Sequence, residues 1–189
     1  MPMNPQDLLT AVEHLNKGAV IGYATEAVFG LGCDPDNGEA VRRLLEIKQR
    51  PEEKGLVLIA ADFSQLRPYL DLAALPPGRL EVILDSWPGP YTWVIPARPE
   101  VPLWLRGRFD SLAVRVTSHR QAHDLCLAFG KPLVSTSANK AGDEPARTVE
   151  ALSSRLGGEL DFILPGVTDG LANPSLIRDG ITGETLRPA

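Results

Sequence analysis

Ala19 to Tyr23 is a short apolar run with no polar alternation, and a strand of that composition suits a sheet covered on both faces. The requirement limits the fold more than any other feature, because the apolar runs that follow alternate with segments of helical period. Asn4-Pro5 supplies an N-cap and a proline at the first helical position, and Leu8, Val12 and Leu15 repeat until Gly18, so residues 5–17 are predicted as helix. Thr25 to Gly32 reads as the loop at the carboxyl end of the first strand. Further helices are expected over Gly38–Gln49, closed by Pro51, and over Ser64–Leu70, Gly78–Trp87, His119–Phe129 and Val149–Leu156. Strands are expected over Leu56–Ala60, Thr92–Pro96, Leu112–Val116, Pro132–Ser135, Phe162–Leu164, Ser175–Arg178 and Glu184–Arg187. This alternation gives an α/β class, with helices flanking a mostly buried sheet and ligands expected in a crevice outside the strand ends. At 189 residues one domain over 1–189 is expected, and the 17 prolines and 17 glycines are spread through the connections without marking a boundary.

Bulk properties narrow the function classes. No apolar run approaches a membrane span, and the start lacks the basic and apolar regions of a secretory signal. Two distant cysteines, Cys33 and Cys126, fit a cytoplasmic protein with reduced thiols. A net charge of −5 argues against a general nucleic-acid coat while leaving room for a local basic cavity.

Two segments carry the chemistry. Lys48-Gln49-Arg50-Pro51-Glu52-Glu53-Lys54 places three cations at a predicted helix end, and Ser135-Thr136-Ser137-Ala138-Asn139 places hydroxyls and an amide after a buried strand. The plain alternatives are a dipole-favoured helix C-terminus for the first and a cap or Asx turn for the second. Pro51 and Gly55 bend the chain where the cations cluster, and four polar side chains exceed what a cap requires, so the pair reads as one site for an anion such as a triphosphate. The Gly-x-x-x-x-Gly-Lys-Ser/Thr loop is absent, which leaves side chains to hold a nucleotide. No Gly-x-Ser-x-Gly elbow supports a serine hydrolase. His119 and His123 lack a third zinc ligand and read as solvated helix residues. Gly30-Leu31-Gly32 lacks the third glycine of a dinucleotide fingerprint, and Trp87-Pro88-Gly89-Pro90 reads as a rigid turn beside Thr92. Arg106, Arg108, Arg115, Arg147, Arg178 and Arg187 follow no local spacing and could be surface residues or converge on one cleft.

Several motifs in order resemble the YrdC/TsaC-type threonylcarbamoyl-AMP synthases: Tyr23-Ala24-Thr25-Glu26-Ala27-Val28-Phe29-Gly30-Leu31-Gly32, Lys48-x-Arg50-Pro51, Trp87-Pro88-Gly89-Pro90, Leu112-Ala113-Val114-Arg115, Ser137-Ala138-Asn139 and Leu186-Arg187-Pro188. Ala24 stands where the family pattern usually has proline. The resemblance implies a short, single-domain YrdC-like form, a twisted mixed sheet with a concave basic cavity. It implies synthesis of threonylcarbamoyl-adenylate and pyrophosphate from L-threonine, bicarbonate and ATP, magnesium on the triphosphate, and a downstream tRNA threonylcarbamoyl transferase as partner. Lys48 and Arg50 are the implied catalytic residues. Arg50, Lys54, Ser111, Asn139, Arg147 and Arg187 are implied to hold ATP, and Thr25, Arg115, Ser137 and Ser175 to hold threonine. Substituting Lys48 or Arg50 is expected to leave the fold intact, since both sit at a helix end. The alternative is an RNA-binding module that uses the same concavity for tRNA or double-stranded RNA without adenylate chemistry.

Overall fold

The computed structural model describes residues 3–189. In chain order the elements are α1 (Pro5–Asn16), β1 (Ile21–Ala24), β2 (Phe29–Gly32), α2 (Gly38–Lys48), β3 (Val57–Ala60), α3 (Phe63–Leu66), α4 (Arg79–Asp85), β4 (Tyr91–Pro96), α5 (Leu103–Arg106), β5 (Ser111–Val116), α6 (Arg120–Phe129), β6 (Leu133–Ser137), α7 (Val149–Leu156), β7 (Phe162–Ile163), β8 (Leu176–Asp179) and β9 (Thr185–Arg187). Caps fix the helix starts: Asn4 accepts from Gln6 N at 2.9 Å, Asn37 from Glu39 N and Ala40 N at 3.1 Å, and Thr148 from Ala151 N at 3.1 Å. His119 is the cap of α6, its Nδ1 accepting from Ala122 N while Nε2 donates to Val167 O at 2.8 Å. It is 4% exposed, so the expected solvated histidine is instead a buried capping group that ties α6 to the 165–175 connection.

The nine strands form one mixed sheet in the order β7-β1-β2-β6-β3-β5-β4-β8-β9. The pairs β1–β7, β3–β5 and β4–β8 are parallel and the others antiparallel. Two expectations fail here. The segment expected as a loop over Thr25–Gly32 contains β2, whose glycines are strand residues: a Cβ on Gly32 would meet Val134 O and the Tyr23 ring within 2.6 Å. The strand expected to stop at Ser135 runs to Ser137, because β2 pairs with it through Gly30–Ser137 and Leu31–Thr136. Ser64–Leu70 is a short α3 followed by a 3-10 turn, since Pro68 cannot donate the next helical bond.

Side chains alternate across the sheet. On one face Leu58, Ala60, Leu112, Val114, Val116 and Val134 join the larger core with Val41, Leu44 and Leu45 of α2. On the other, Ile59 and Leu133 join Tyr23 and the apolar sides of α1 and α6, including Leu15 and Leu125. The remainder of that second face is left uncovered by α1 and α6, and the cavity described below lies on it. Among the described residues no helix is long and apolar enough to cross a membrane.

Candidate active site

A cavity of about 600 Å³ opens on the uncovered part of the sheet. One row of its floor runs across five strands: Ser135 on β6 pairs with Val57 on β3, Val57 with Ala113 on β5, Ala113 with Val94 on β4, and Val94 with Asp179 on β8. Ser111 and Arg115 flank Ala113 at two-residue spacing and face the same way. Small side chains along this row leave the space that a larger residue would fill.

The cationic loop forms where α2 ends. Gln49 adopts the left-handed conformation at φ 55°, and the chain then turns through Pro51 into a 3-10 turn over Glu52–Lys54. Arg108 N donates to Glu53 O at 3.0 Å and Leu56 N to Leu105 O at 2.9 Å, which fastens the loop to α5 and the turn after it. Arg50 and Lys54 line the cavity. Arg50 donates from Nη2 to Gly55 O at 3.0 Å, its Nε is buried without a partner among the described residues, and burial holds its pKa below the usual arginine value.

Lys48 is placed differently from its neighbours. It is 4% exposed and lies behind the cavity wall, outside the lining. Its Nζ donates to Ser137 O and to Asn139 O at 2.8 Å and Oδ1 at 3.3 Å, while its carbonyl accepts from Ala141 N at 3.0 Å. Burial, and then the charge of Arg50, lower its pKa to about 8. The expectation that Lys48 sits at a helix end clear of the core, so that its loss spares the fold, is therefore corrected: it is buried and braces the 137–141 segment from within. Asn139 also stands outside the lining. Its Oδ1 accepts from Lys48 and Ser137, and its Nδ2 donates to Lys140 O and Asp143 O, so all four amide positions are occupied within the protein.

The remaining sequence-derived residues gather around the mouth and floor. Thr25, Ser111, Arg115, Ser137, Ser175 and Arg187 all line the cavity. Thr25 Oγ1 donates to Val28 O at 2.6 Å, Ser175 Oγ shares a 2.7 Å hydrogen bond with Thr92 Oγ1, and Arg187 donates to Ser175 O at 2.8 Å. Burial, and then the charge of Arg115, lower the Arg187 pKa. Arg147 lies outside the lining and bridges two of its segments, donating to Ala27 O at 3.1 Å, Leu171 O at 3.3 Å and Ala172 O at 3.0 Å. Five cations line the cavity, Arg50, Lys54, Arg106, Arg115 and Arg187, against the carboxylates Glu26 and Asp179, in a chain whose net charge is −5.

Sequence reasoning missed Glu26. It is 3% exposed, lines the cavity and forms a 2.5 Å ion pair with Arg115. A signal was present, because a carboxylate inside the apolar stretch from Tyr23 to Leu31 must find a partner to be buried. The strap Leu171-Ala172-Asn173-Pro174, which lines the cavity and is tied down by Arg147 and the Glu26 carbonyl, was also missed, since nothing local distinguishes it from an ordinary loop.

A family model named for Sua5, yciO and yrdC, and described as telomere recombination, matches residues 13–189. The chain belongs to the Sua5/YciO/YrdC family. This Sua5/YciO/YrdC chain is 57% identical over 177 residues to a Klebsiella pneumoniae protein named threonylcarbamoyl-AMP synthase, a match covering 94% of this chain and 93% of that one. It superposes on the crystal structure of P. abyssi Sua5 complexed with L-threonine with a TM-score of 0.88 and 27% identity, covering 95% of this chain and 52% of Sua5, so it spans about half of that longer protein. The crystal structure of E. coli YciO superposes with a TM-score of 0.79 and 29% identity, covering 98% of this chain and 93% of YciO. The single α/β domain and its mixed sheet are thus the fold that the motifs implied.

Proposed function

We propose that this protein is a threonylcarbamoyl-AMP synthase, a nucleotidyltransferase that joins L-threonine, bicarbonate and ATP. The observation that carries the reading is one cavity with two chemistries. Arg50, Lys54 and Arg187 offer positive charge for phosphates, while Thr25, Arg115, Ser137 and Ser175 offer a guanidinium and hydroxyls suited to a small hydroxy amino acid. The 57% identical relative carries that name, and the Sua5 structure of the same fold is a complex with L-threonine.

The chemistry balances in two steps. The threonine amine bonds to the bicarbonate carbon and water leaves, giving a carbamate. A carbamate oxygen then bonds to the α-phosphorus of ATP as the bond to the pyrophosphate oxygen breaks. Anion attacks anion, so catalysis consists of neutralising phosphate charge and aligning the reactants, with no protein nucleophile. Arg50, Lys54 and Arg187 neutralise; Arg115 holds the threonine carboxylate; Lys48 keeps the Ser137–Asn139 wall in shape. Magnesium enters as part of the nucleotide, because Glu26 is committed to Arg115 and no cluster of His, Cys, Asp and Glu suited to a metal occurs among the described residues. The product is a reactive mixed anhydride, so a cytoplasmic transferase that modifies tRNA is its consumer.

The test is mass spectrometry of the product formed with ¹³C-bicarbonate. One labelled carbon in an adenylate that also contains threonine is the expected result; an adenylate lacking the label, or none, refutes the reaction.

A further inference from the structure

The cavity must receive two anions of different kinds, an amino-acid carboxylate and a polyphosphate, and it holds five cations to attract them. Charge alone would not keep them apart. The feature that breaks the symmetry is Glu26, in the turn between β1 and β2. Its Oε2 accepts from Arg115 Nη1 at 2.5 Å, and its Oε1 accepts from Thr117 Oγ1 at 2.9 Å and Ser118 N at 3.1 Å. Its carbonyl accepts from Leu171 N of the strap at 3.2 Å. Burial pushes the carboxyl pKa up, but the charge and hydrogen bond of Arg115, with the bond from Thr117, outweigh it and hold Glu26 ionised.

Arg115 is 7% exposed, and Nη1 is its one nitrogen with a hydrogen-bond partner among the described residues; Nε is buried and unpartnered. Nε and Nη2 lie on one edge of the guanidinium, the side-on fork that matches a carboxylate with two parallel hydrogen bonds. Arg50, Lys54 and Arg187 have no ion-pair partner among the described residues, so no protein carboxylate compensates their charge as Glu26 compensates that of Arg115.

Building on the synthase reading, we propose that Glu26 is the positioning and specificity residue that divides the cavity: its bond to Nη1 turns the Nε–Nη2 edge of Arg115 toward a carboxylate, and its charge cancels the attraction of that arginine for phosphate. Threonine is then held by a geometric fork in a locally neutral subsite, and polyphosphate is directed to the unpaired cations. Glu26 touches neither reacting atom; it acts through Arg115.

Calorimetric titration of the intact protein with L-threonine and, separately, with inorganic pyrophosphate tests this. Glu26→Gln keeps the shape and removes the charge. L-threonine is expected to bind roughly tenfold more weakly and pyrophosphate roughly tenfold more tightly, with threonine now competing against pyrophosphate. A residue that merely supports the fold would weaken both ligands together. Thr117→Val loosens Glu26 while keeping its charge, and is expected to weaken threonine with pyrophosphate unchanged; it carries the test if Glu26→Gln does not fold. Unchanged affinities in folded variants, or parallel loss of both ligands, overturn the division of the cavity. Failure of the unsubstituted protein to bind L-threonine overturns the synthase reading itself, and this inference with it.

Discussion

Arg50→Ala is expected to lower the rate of pyrophosphate release by about a thousandfold, roughly 4 kcal/mol of transition-state stabilisation, with the melting temperature unchanged. Arg50 lines the cavity, is half-buried, and spends one nitrogen on Gly55 O while its Nε has no partner among the described residues. A donor held there in a partly dry site acts on developing phosphate charge far more strongly than one in water. The one hydrogen bond of its side chain among the described residues is local, to Gly55 O five residues along the chain, so the fold does not depend on it. Steady-state kinetics beside a thermal melt check this. A loss smaller than tenfold would remove Arg50 from the phosphate site, and a parallel fall in melting temperature would make it structural.

Lys48→Ala is expected to act in the opposite order, through the fold first. Removing the ammonium leaves Asn139 O without its donor and takes one of two donors from Ser137 O and from Asn139 Oδ1, which keep Asn139 N and Ser137 Oγ. Stripping donors from these acceptors and emptying the stem's space costs about 3–5 kcal/mol in sum, which lowers the melting temperature by about 10 °C in a protein of this size. Activity falls as well, because the unbraced segment carries Ser137. Lys48→Met restores the packed stem without the donors and is expected to recover part of the stability and little of the activity. A Lys48→Ala protein that melts normally yet is inactive would instead place the ammonium on the substrate.

The contrast between these neighbours shows what local sequence can and cannot reveal. Strands β3 and β5 and helix α7 were legible because burial on both faces, or a regular apolar period between a cap and a glycine pair, depends on adjacent residues alone. A cationic cluster was legible, since Lys48, Arg50 and Lys54 lie within seven positions. Their division of labour was not. Lys48 is buried by a segment 89 to 91 residues downstream, and no local pattern announces that contact. Strand β2 was hidden by its own glycines, of which Gly32 is required by the Tyr23 ring and the Val134 carbonyl on the neighbouring strands. His119 looked like a surface residue because capping and tertiary contact together buried it. Glu26 could have been found by asking what neutralises a carboxylate among apolar neighbours, although its partner Arg115 is 89 positions away.

Pyrophosphate release by the purified protein with ATP and magnesium, with L-threonine and bicarbonate each present or omitted, tests the central claim most directly. Release that requires both, at a rate little affected by added RNA, is the predicted result. Release without threonine, or no release from the folded protein together with salt-sensitive binding of tRNA or double-stranded RNA, would contradict it and make the concavity an RNA-binding surface.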